Sequence, residues 1–339
     1  MADNSIPEES GYHLLKNITK DAFVPYYRGV NSFCSFKSID KILYLIYASE
    51  DCSIISFDLI NEKKINEIKK AHNTHISNFR HYLDEINKRD LILSVSTKDN
   101  NIKVWNIKNY ECICNIKNIY EESVVLSACF LNEDHNIFIV ASNEPRNIFE
   151  ETKVYDLNGN KFKEIYNYDD LTRYIDSYYD KNLSKNFIVT GNVSYPRSYD
   201  YSSSKLYYKY ADDNNKEQYS ISVFDKDDVL KFIESSEDHF IRIWDFHSGK
   251  LLNKIKLDIK KYYRVYSYCV SKNNYLFGGT GEYIIIIDLK TQKVESVSLG
   301  YNYAFTIQII EHSKFGECLI SQGSSKSPIQ LWMKNKKNL

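Results

Sequence analysis

Glycine and proline are scarce in this chain, with 11 and 5 among 339 residues. No Gly-x-Gly-x-x-Gly or P-loop motif occurs, which excludes the usual glycine-rich cradles for nucleotide phosphates. The Gly-x-Ser-x-Gly elbow of α/β-hydrolases is also missing. A strong charge of either sign is lacking, because the formal net charge is −1. This balance argues against a globally basic nucleic-acid binder, although it leaves room for a local patch.

Long apolar runs and regular cysteine spacings are lacking as well. No apolar stretch approaches the roughly 20 residues that cross a bilayer, and residues 1–11 are too polar for a signal peptide. An odd number of cysteines, without disulfide or zinc spacing, predicts small buried side chains in a reducing compartment. We therefore expect a soluble cytoplasmic or nuclear protein without a membrane partner. The cysteines are Cys34, Cys52, Cys112, Cys114, Cys129, Cys269 and Cys318.

What the chain does have is a repeat. An aromatic or apolar residue, usually followed by Asp, ends one predicted strand in each of seven segments. Successive steps between these positions are 48, 50, 44, 45, 43 and 45 residues by subtraction. Such a period, with four short strands in each, is typical of propeller blades. The positions are Phe57-Asp58, Trp105-Asn106, Tyr155-Asp156, Tyr199-Asp200, Trp244-Asp245, Ile287-Asp288 and Trp332-Met333.

On these residues the chain resembles the WD-repeat (WD40) family over nearly its whole length. The segment 235–245, Ser-Ser-Glu-Asp-His-Phe-Ile-Arg-Ile-Trp-Asp, follows the family pattern most closely, and 94–106 is next. Asp238 precedes Trp244 by six residues, and the same spacing recurs in other repeats. The matching pairs are Asp99 with Trp105 and Asp51 with Phe57.

The resemblance implies a hydrogen-bonded set that pins each blade together, running from a His to a Ser or Thr, the turn Asp and the Trp. Only the second repeat supplies all of its members: His72, Ser94 or Ser96, Asp99 and Trp105. The resemblance therefore assigns a structural role to these residues. The full set of structural blade residues is His72, Asp99, Trp105, Asp51, Phe57, Asp238, Trp244, Asp245 and Trp332.

We predict an all-β, seven-bladed propeller. Six complete repeats are followed by three C-terminal strands, and Tyr12–Ile18 supplies one further strand. The N-terminal strand should complete the last blade and remove an open sheet edge. In this division residues 1–10 are a disordered tail, 11–334 form a single propeller and 335–339 form a short basic tail.

Sites for chemistry are hard to find in the sequence. His72 and His75 are spaced as a possible metal pair, but no carboxylate follows at ligand spacing. We expect no catalytic residues, no cofactor and no metal. Asp51, Asp99 and Asp238 are read as turn residues rather than as acids of a site.

The resemblance places one set of loops on a single rim of the disc, called the top. These loops are rich in Tyr, Arg and Lys, residues that often carry binding energy at protein interfaces. Three interpretations remain open: ordinary solvated loops, docking of a protein or peptide, and contact with single-stranded RNA through stacking and phosphate binding. The candidate partner-binding residues are Tyr26, Tyr27, Arg28, Lys69, Lys70, Arg146, Tyr168, Arg173, Lys260, Lys261, Tyr262, Tyr263, Arg264, Tyr301 and Tyr303.

Family resemblance implies a non-catalytic scaffold that docks peptides or proteins on its top rim. An RNA-associated scaffold is the first alternative, and a propeller enzyme is the second. Fold alone does not choose among the many pathways that use such discs.

Overall fold

The structure is a computed structural model, and its description covers residues 11–19, 21–24, 31–121, 123–144, 151–165, 172–212, 216–226, 229–258, 262, 264–300, 306–323 and 327–334. Within these ranges the chain is all-β. None of the described segments is a helix with the length and apolar character needed to cross a membrane. Residues 1–10 and 335–339, predicted to be tails, lie outside the described ranges.

The described strands fall into seven groups along the chain. The first strand in the sequence, β1 (Tyr12–Asn17), precedes these groups. Blade one contains β2 (Phe33–Lys37), β3 (Leu43–Ala48), β4 (Ile54–Asp58) and β5 (Lys63–Ile68). Blade two contains β6 (Asn78–Asp84), β7 (Arg89–Ser96), β8 (Asn101–Asn106) and β9 (Glu111–Lys117). Blade three contains β10 (Val124–Glu133), β11 (Asn136–Glu144), β12 (Thr152–Asp156) and β13 (Lys161–Ile165).

The second half of the chain continues the same pattern. Blade four contains β14 (Thr172–Asp180), β15 (Lys185–Asn192), β16 (Arg197–Asp200) and β17 (Lys205–Lys209). Blade five contains β18 (Gln218–Lys226), β19 (Val229–Ser236), β20 (Phe240–Asp245) and β21 (Leu251–Lys256). Blade six contains β22 (Ser267–Val270), β23 (Tyr275–Gly279), β24 (Tyr283–Asp288) and β25 (Val294–Ser298). Blade seven contains β26 (Thr306–His312), β27 (Gly316–Gln322) and β28 (Ile329–Lys334).

Each blade is a four-stranded antiparallel sheet, and the first strand of each blade contacts the first strand of the next. These inner strands are β2, β6, β10, β14, β18, β22 and β26, and β26 returns to β2. The ring is therefore closed, and the predicted seven-bladed propeller is confirmed.

Strand β1 completes blade seven. It pairs antiparallel with β28, with Tyr12 opposite Lys334, Leu14 opposite Trp332 and Asn17 opposite Gln330. The chain continues to bond beyond the strand, because the Ile18 amide donates to the Ile329 carbonyl at 2.7 Å. The predicted closure by the N-terminal strand is thus confirmed, and it covers the edge that β28 would otherwise expose.

The hydrophobic core lies between blades rather than at the centre of the disc. Seven apolar clusters each join residues of two adjacent blades. The second and third strands of a blade are covered on both faces, which explains continuous apolar runs such as 284–287, Ile-Ile-Ile-Ile. The outermost strands are more exposed, as in β5 and β9.

The Asp that follows most of the repeated aromatic positions holds a turn. Its carboxylate accepts backbone N–H bonds from the turn between the third and fourth strands, as Asp58 does from Ile60 at 2.9 Å and Asp288 from Lys290 at 2.7 Å. Asp156, Asp200 and Asp245 do the same in their blades. Asp side chains that accept hydrogen bonds from their own turn stabilise it, as glycine and proline do in other turn-rich proteins.

Candidate functional site

Loops and turns of successive blades meet on one face of the disc. In the loop from β5 to β6, the Lys70 amide donates to Ser53 Oγ at 3.1 Å, in the turn between β3 and β4. The amides of Asn73 and Thr74 in the same loop donate to Asp99 Oδ2 at 2.8 and 3.0 Å, in the turn between β7 and β8. We call this the top face and the opposite one the bottom face. The top-face loop is therefore bonded to two blades at once.

A basic residue in the third strand anchors the loop above it. Lys103 lies two positions before Trp105, and its Nζ donates to the Ala71 carbonyl at 2.5 Å. At the equivalent place in blade three, Lys153 Nζ donates to the Ile119 carbonyl at 3.1 Å. In blade five, Arg242 Nε donates to Asp212 Oδ2 at 2.8 Å. Arg197 occupies the same position in blade four and is 2% exposed.

Blade two contains a buried chain of side-chain hydrogen bonds. Ser94 Oγ lies 2.8 Å from His72 Nε2 and accepts a bond of 2.9 Å from Trp105 Nε1. Burial, reinforced by the nearby charge of Lys103, lowers the pKa of His72 to about 3, so the ring is neutral. Asp99 bonds to the loop backbone, and His72 Nδ1 has no hydrogen-bond partner among the described residues.

The other blades keep only parts of this arrangement. Trp332 Nε1 donates to Ser321 Oγ at 2.9 Å in blade seven. In blade five, Ile233 stands eleven residues before Trp244, where a serine precedes the other two tryptophans. The Trp244 N–H accordingly has no partner in the described part of the chain. In blade one, Asp51 accepts bonds from Ser49 and Ser53 within its own turn, and Phe57 packs against a core cluster.

Blade five has a buried ion cluster in place of the hydrogen-bonded chain. The Arg242 side chain is 2% exposed and lies 3.3 Å from Glu234 Oε1 and 2.8 Å from Asp212 Oδ2. It also bonds Asp238 and donates to Ser236 Oγ at 3.1 Å. Lys254 Nζ reaches Asp212 at 2.5 Å. The cluster therefore groups three carboxyl groups with two cations.

Protonation of this cluster is set by burial and by the arginine. Burial raises the pKa of Glu234 to about 8, which exceeds the opposing effect of Arg242. Burial by itself would raise the pKa of Asp238 as well. Hydrogen bonds from Arg242 and Ser236 outweigh burial there, so the pKa of Asp238 is lowered. At neutral pH Glu234 is therefore protonated, whereas Asp238 is ionised beside Arg242.

The candidate rim residues are placed differently from one another. Lys69 and Lys70 are exposed on the top-face loop from β5 to β6. Arg264 lies in the loop from β21 to β22, with Nη2 3.8 Å from Glu237 Oε1. Tyr262 requires a correction, because it is 6% exposed and packs edge-on against Tyr283, 5.9 Å between ring centroids. Its ring belongs to the core between blades five and six rather than to the rim surface.

The side chains of the remaining candidates are outside the described part of the structure. Arg173 is in β14, and its side chain is not described. The others lie outside the described residues: Tyr26, Tyr27, Arg28, Arg146, Tyr168, Lys260, Lys261, Tyr263, Tyr301 and Tyr303.

Two pairs of side chains resemble a nucleophile beside a base. Ser94 and His72 are 0% and 3% exposed, so no substrate reaches their contact. Cys52 Sγ lies 3.7 Å from His75 Nδ1 on the top face. Burial, together with Asp51 and Asp99, raises the pKa of the Cys52 thiol, which disfavours the reactive thiolate. Across the described ranges, no group of three or more His, Cys, Asp or Glu side chains could hold a metal ion.

The Arg242 cluster was missed by the sequence analysis. A charged residue in a strand is usually solvated, so Arg242 alone gave no signal. The signal that could have found it is the recurrence of a basic residue two positions before the repeated aromatic in four successive blades: Lys103, Lys153, Arg197 and Arg242.

Comparison with known proteins adds no relative: no protein-family model matches the sequence, and no curated protein matches it.

Proposed function

We propose that this chain is a degenerate WD-repeat protein that acts as a non-catalytic scaffold and docks peptides or proteins on its top face. The observation that carries the proposal is the anchoring of top-face loops by Lys103, Lys153 and Arg242. Loops held by side chains that are partly or fully buried keep their shape, so a partner meets a preorganised surface and less conformational entropy is lost on binding. Propeller folds commonly serve as interaction scaffolds, although fold alone does not assign function.

WD-repeat membership is supported by blade two. There the His72, Ser94 and Trp105 contacts join the loop, the second strand and the third strand of one repeat. Asp99, six residues before Trp105, ties the same loop to the following turn. The family resemblance implies that Asp99 holds this loop through the His72 imidazole. Here Asp99 holds the loop by accepting hydrogen bonds from the backbone amides of Asn73 and Thr74.

A non-catalytic role is supported by the two nucleophile-like pairs. The Ser94 hydroxyl already accepts the Trp105 N–H and is sealed from solvent. The Cys52 thiol has a raised pKa. Neither side chain has the combination of access and activation that nucleophilic catalysis needs.

We further propose that the scaffold works in the cytoplasm or nucleus. All seven cysteines are described, and all seven are free thiols. Free thiols without disulfides are typical of proteins that function in a reducing compartment.

The proposal is tested by affinity purification and mass spectrometry with a pair of charge-reversed variants. Lys69→Glu/Lys70→Glu changes the top face, and Lys108→Glu/Lys290→Glu makes the same charge change at exposed bottom-face turns. We expect partners that resist ribonuclease to be lost from the first variant and retained by the second. Identical partner lists for both variants would contradict top-face docking. Loss of all partners on ribonuclease treatment would favour the RNA-associated alternative.

A further inference from the structure

Two neighbouring cavities open on the bottom face. The larger, about 760 Å³, lies among the inner strands β6, β10 and β14, and its lining includes Arg80, Asp134 and Asp176. The second, about 500 Å³, lies between blades four and five, and its lining includes Asp180, Asp225 and His247. Both cavities border the turn between β14 and β15. We call the two cavities and the turn between them the acidic surface.

Apolar side chains project beside these cavities. Tyr179 is 51% exposed, Leu183 at the tip of the shared turn is 47% exposed, and Val229 is 36% exposed. Each belongs to blade four or blade five. Large apolar side chains grouped around concave surface are a feature of interaction sites.

Charge selects the chemistry of the occupant. The two linings contain six carboxylates, namely Glu133, Asp134, Asp176, Asp180, Asp225 and Asp245. Among the described lining residues, the positively charged Arg and Lys side chains are those of Arg80 and Lys181. The chain as a whole has a net charge of only −1, so this is a local excess of negative charge.

Several of these carboxylates already have partners. Asp176 is 3.6 Å from Arg80, Asp180 is 2.8 Å from His247, and Asp245 accepts from Ser248 at 2.8 Å. Asp134 and Asp225 are exposed and, within the described ranges, their carboxylates have no hydrogen bond or ion pair. Among the described residues, each cavity therefore has one carboxylate without a hydrogen-bond or ion-pair partner.

We propose that the acidic surface docks a basic peptide segment of a partner protein, with lysine or arginine side chains directed at Asp134 and Asp225 and an apolar side chain packed on Tyr179 and Leu183. Complementary charge steers such a segment to the surface, and burial of the apolar side chain holds it. A nucleic acid is disfavoured here, because its phosphates would face carboxylates. This site is on the opposite face from the top-face docking proposed above and does not depend on it.

Fluorescence anisotropy with the intact chain tests the proposal. The probe is a short labelled peptide in which lysine and leucine alternate, and the reference is the same peptide with glutamate in place of lysine. We expect binding of the lysine peptide alone, weaker at about 300 mM than at about 50 mM salt because screening shortens the range of the charges. Asp134→Asn/Asp225→Asn should weaken binding about three- to tenfold.

Matched controls separate this surface from a general effect of charge or exposure. Asp40→Asn/Glu311→Gln removes two exposed carboxylates near the bottom-face turns of blades one and seven and should leave affinity unchanged. Leu183→Ala should weaken binding with little change in salt dependence, whereas Ile39→Ala, 41% exposed in the equivalent turn of blade one, should not. Equal binding of the glutamate peptide, absence of lysine-peptide binding, or equal losses in the controls would each overturn the proposal.

Discussion

Arg242 and Glu234 face each other across strands β20 and β19, and both are almost completely buried. The guanidinium also bonds Asp212 and Asp238, so Glu234 competes with two other carboxylates for the same cation. Burial of a third negative charge is therefore poorly compensated, which is why the pKa of Glu234 rises to about 8. This pair makes blade five sensitive to pH.

Glu234→Gln should remove a pH-dependent part of the stability. An ordinary Glu ionises in the unfolded chain near pH 4.5, whereas Glu234 in the folded chain stays protonated up to about pH 8. Within that window unfolding releases a proton, so the contribution of Glu234 to stability falls by about 1.4 kcal/mol for each pH unit as pH rises. We expect the stability of the variant relative to wild type to increase across the window and to level off above it.

Urea unfolding of both proteins at several pH values measures this difference. Subtracting the wild-type stability from that of the variant cancels the contributions of all other titrating groups. His72 is one of these, because its lowered pKa makes it destabilising as pH falls. Glu237→Gln is the control, because Glu237 is exposed in the adjoining turn. A pH-independent difference for Glu234→Gln would contradict a protonated Glu234.

The sequence predicted the ring, its blade number and its closure because these depend on periodicity and on one surplus strand. Tyr12–Ile18 was the expected strand, and the structure has Tyr12–Asn17. Strand ends are predicted less accurately, as the one-residue difference at the end of β1 shows, since propensity carries little information about where pairing stops. The burial of Tyr262 was not predictable, because it depends on a contact with Tyr283 of the next blade. The burial of Arg242 was indicated only by the recurrence of a basic residue at its position in four successive blades.

Deleting residues 1–19 should destabilise the ring. The deletion removes β1, the Ile18 bond to Ile329 and the edge-on contact of Tyr12 with Phe277, 5.3 Å between ring centroids. It also exposes β28 as an unpaired edge, which promotes association between chains. We expect the melting temperature to fall by more than about 5 °C, with oligomers visible by size-exclusion chromatography. Deletion of residues 1–10 is the control and should change neither property; an unaltered melting curve for the longer deletion would contradict closure by β1.

Replacing each tryptophan by phenylalanine should separate hydrogen bonding from packing. Trp105 and Trp332 donate to Ser94 and Ser321, whereas the Trp244 N–H has no partner among the described residues. All three are at most 5% exposed, so the loss of packing should be similar.

Trp105→Phe and Trp332→Phe therefore each lose a buried hydrogen bond, whereas Trp244→Phe removes an unsatisfied donor that is costly to bury. We expect the first two to lose about 1–2 kcal/mol more in free energy of unfolding than Trp244→Phe, measured by urea denaturation. The comparison is decided by rank order: if Trp244→Phe proves the most destabilising of the three, the indole of blade five must have a bonding partner. Such a result would mean that the indole N–H is hydrogen-bonded in blade five as it is in blades two and seven, although Ile233 replaces the serine.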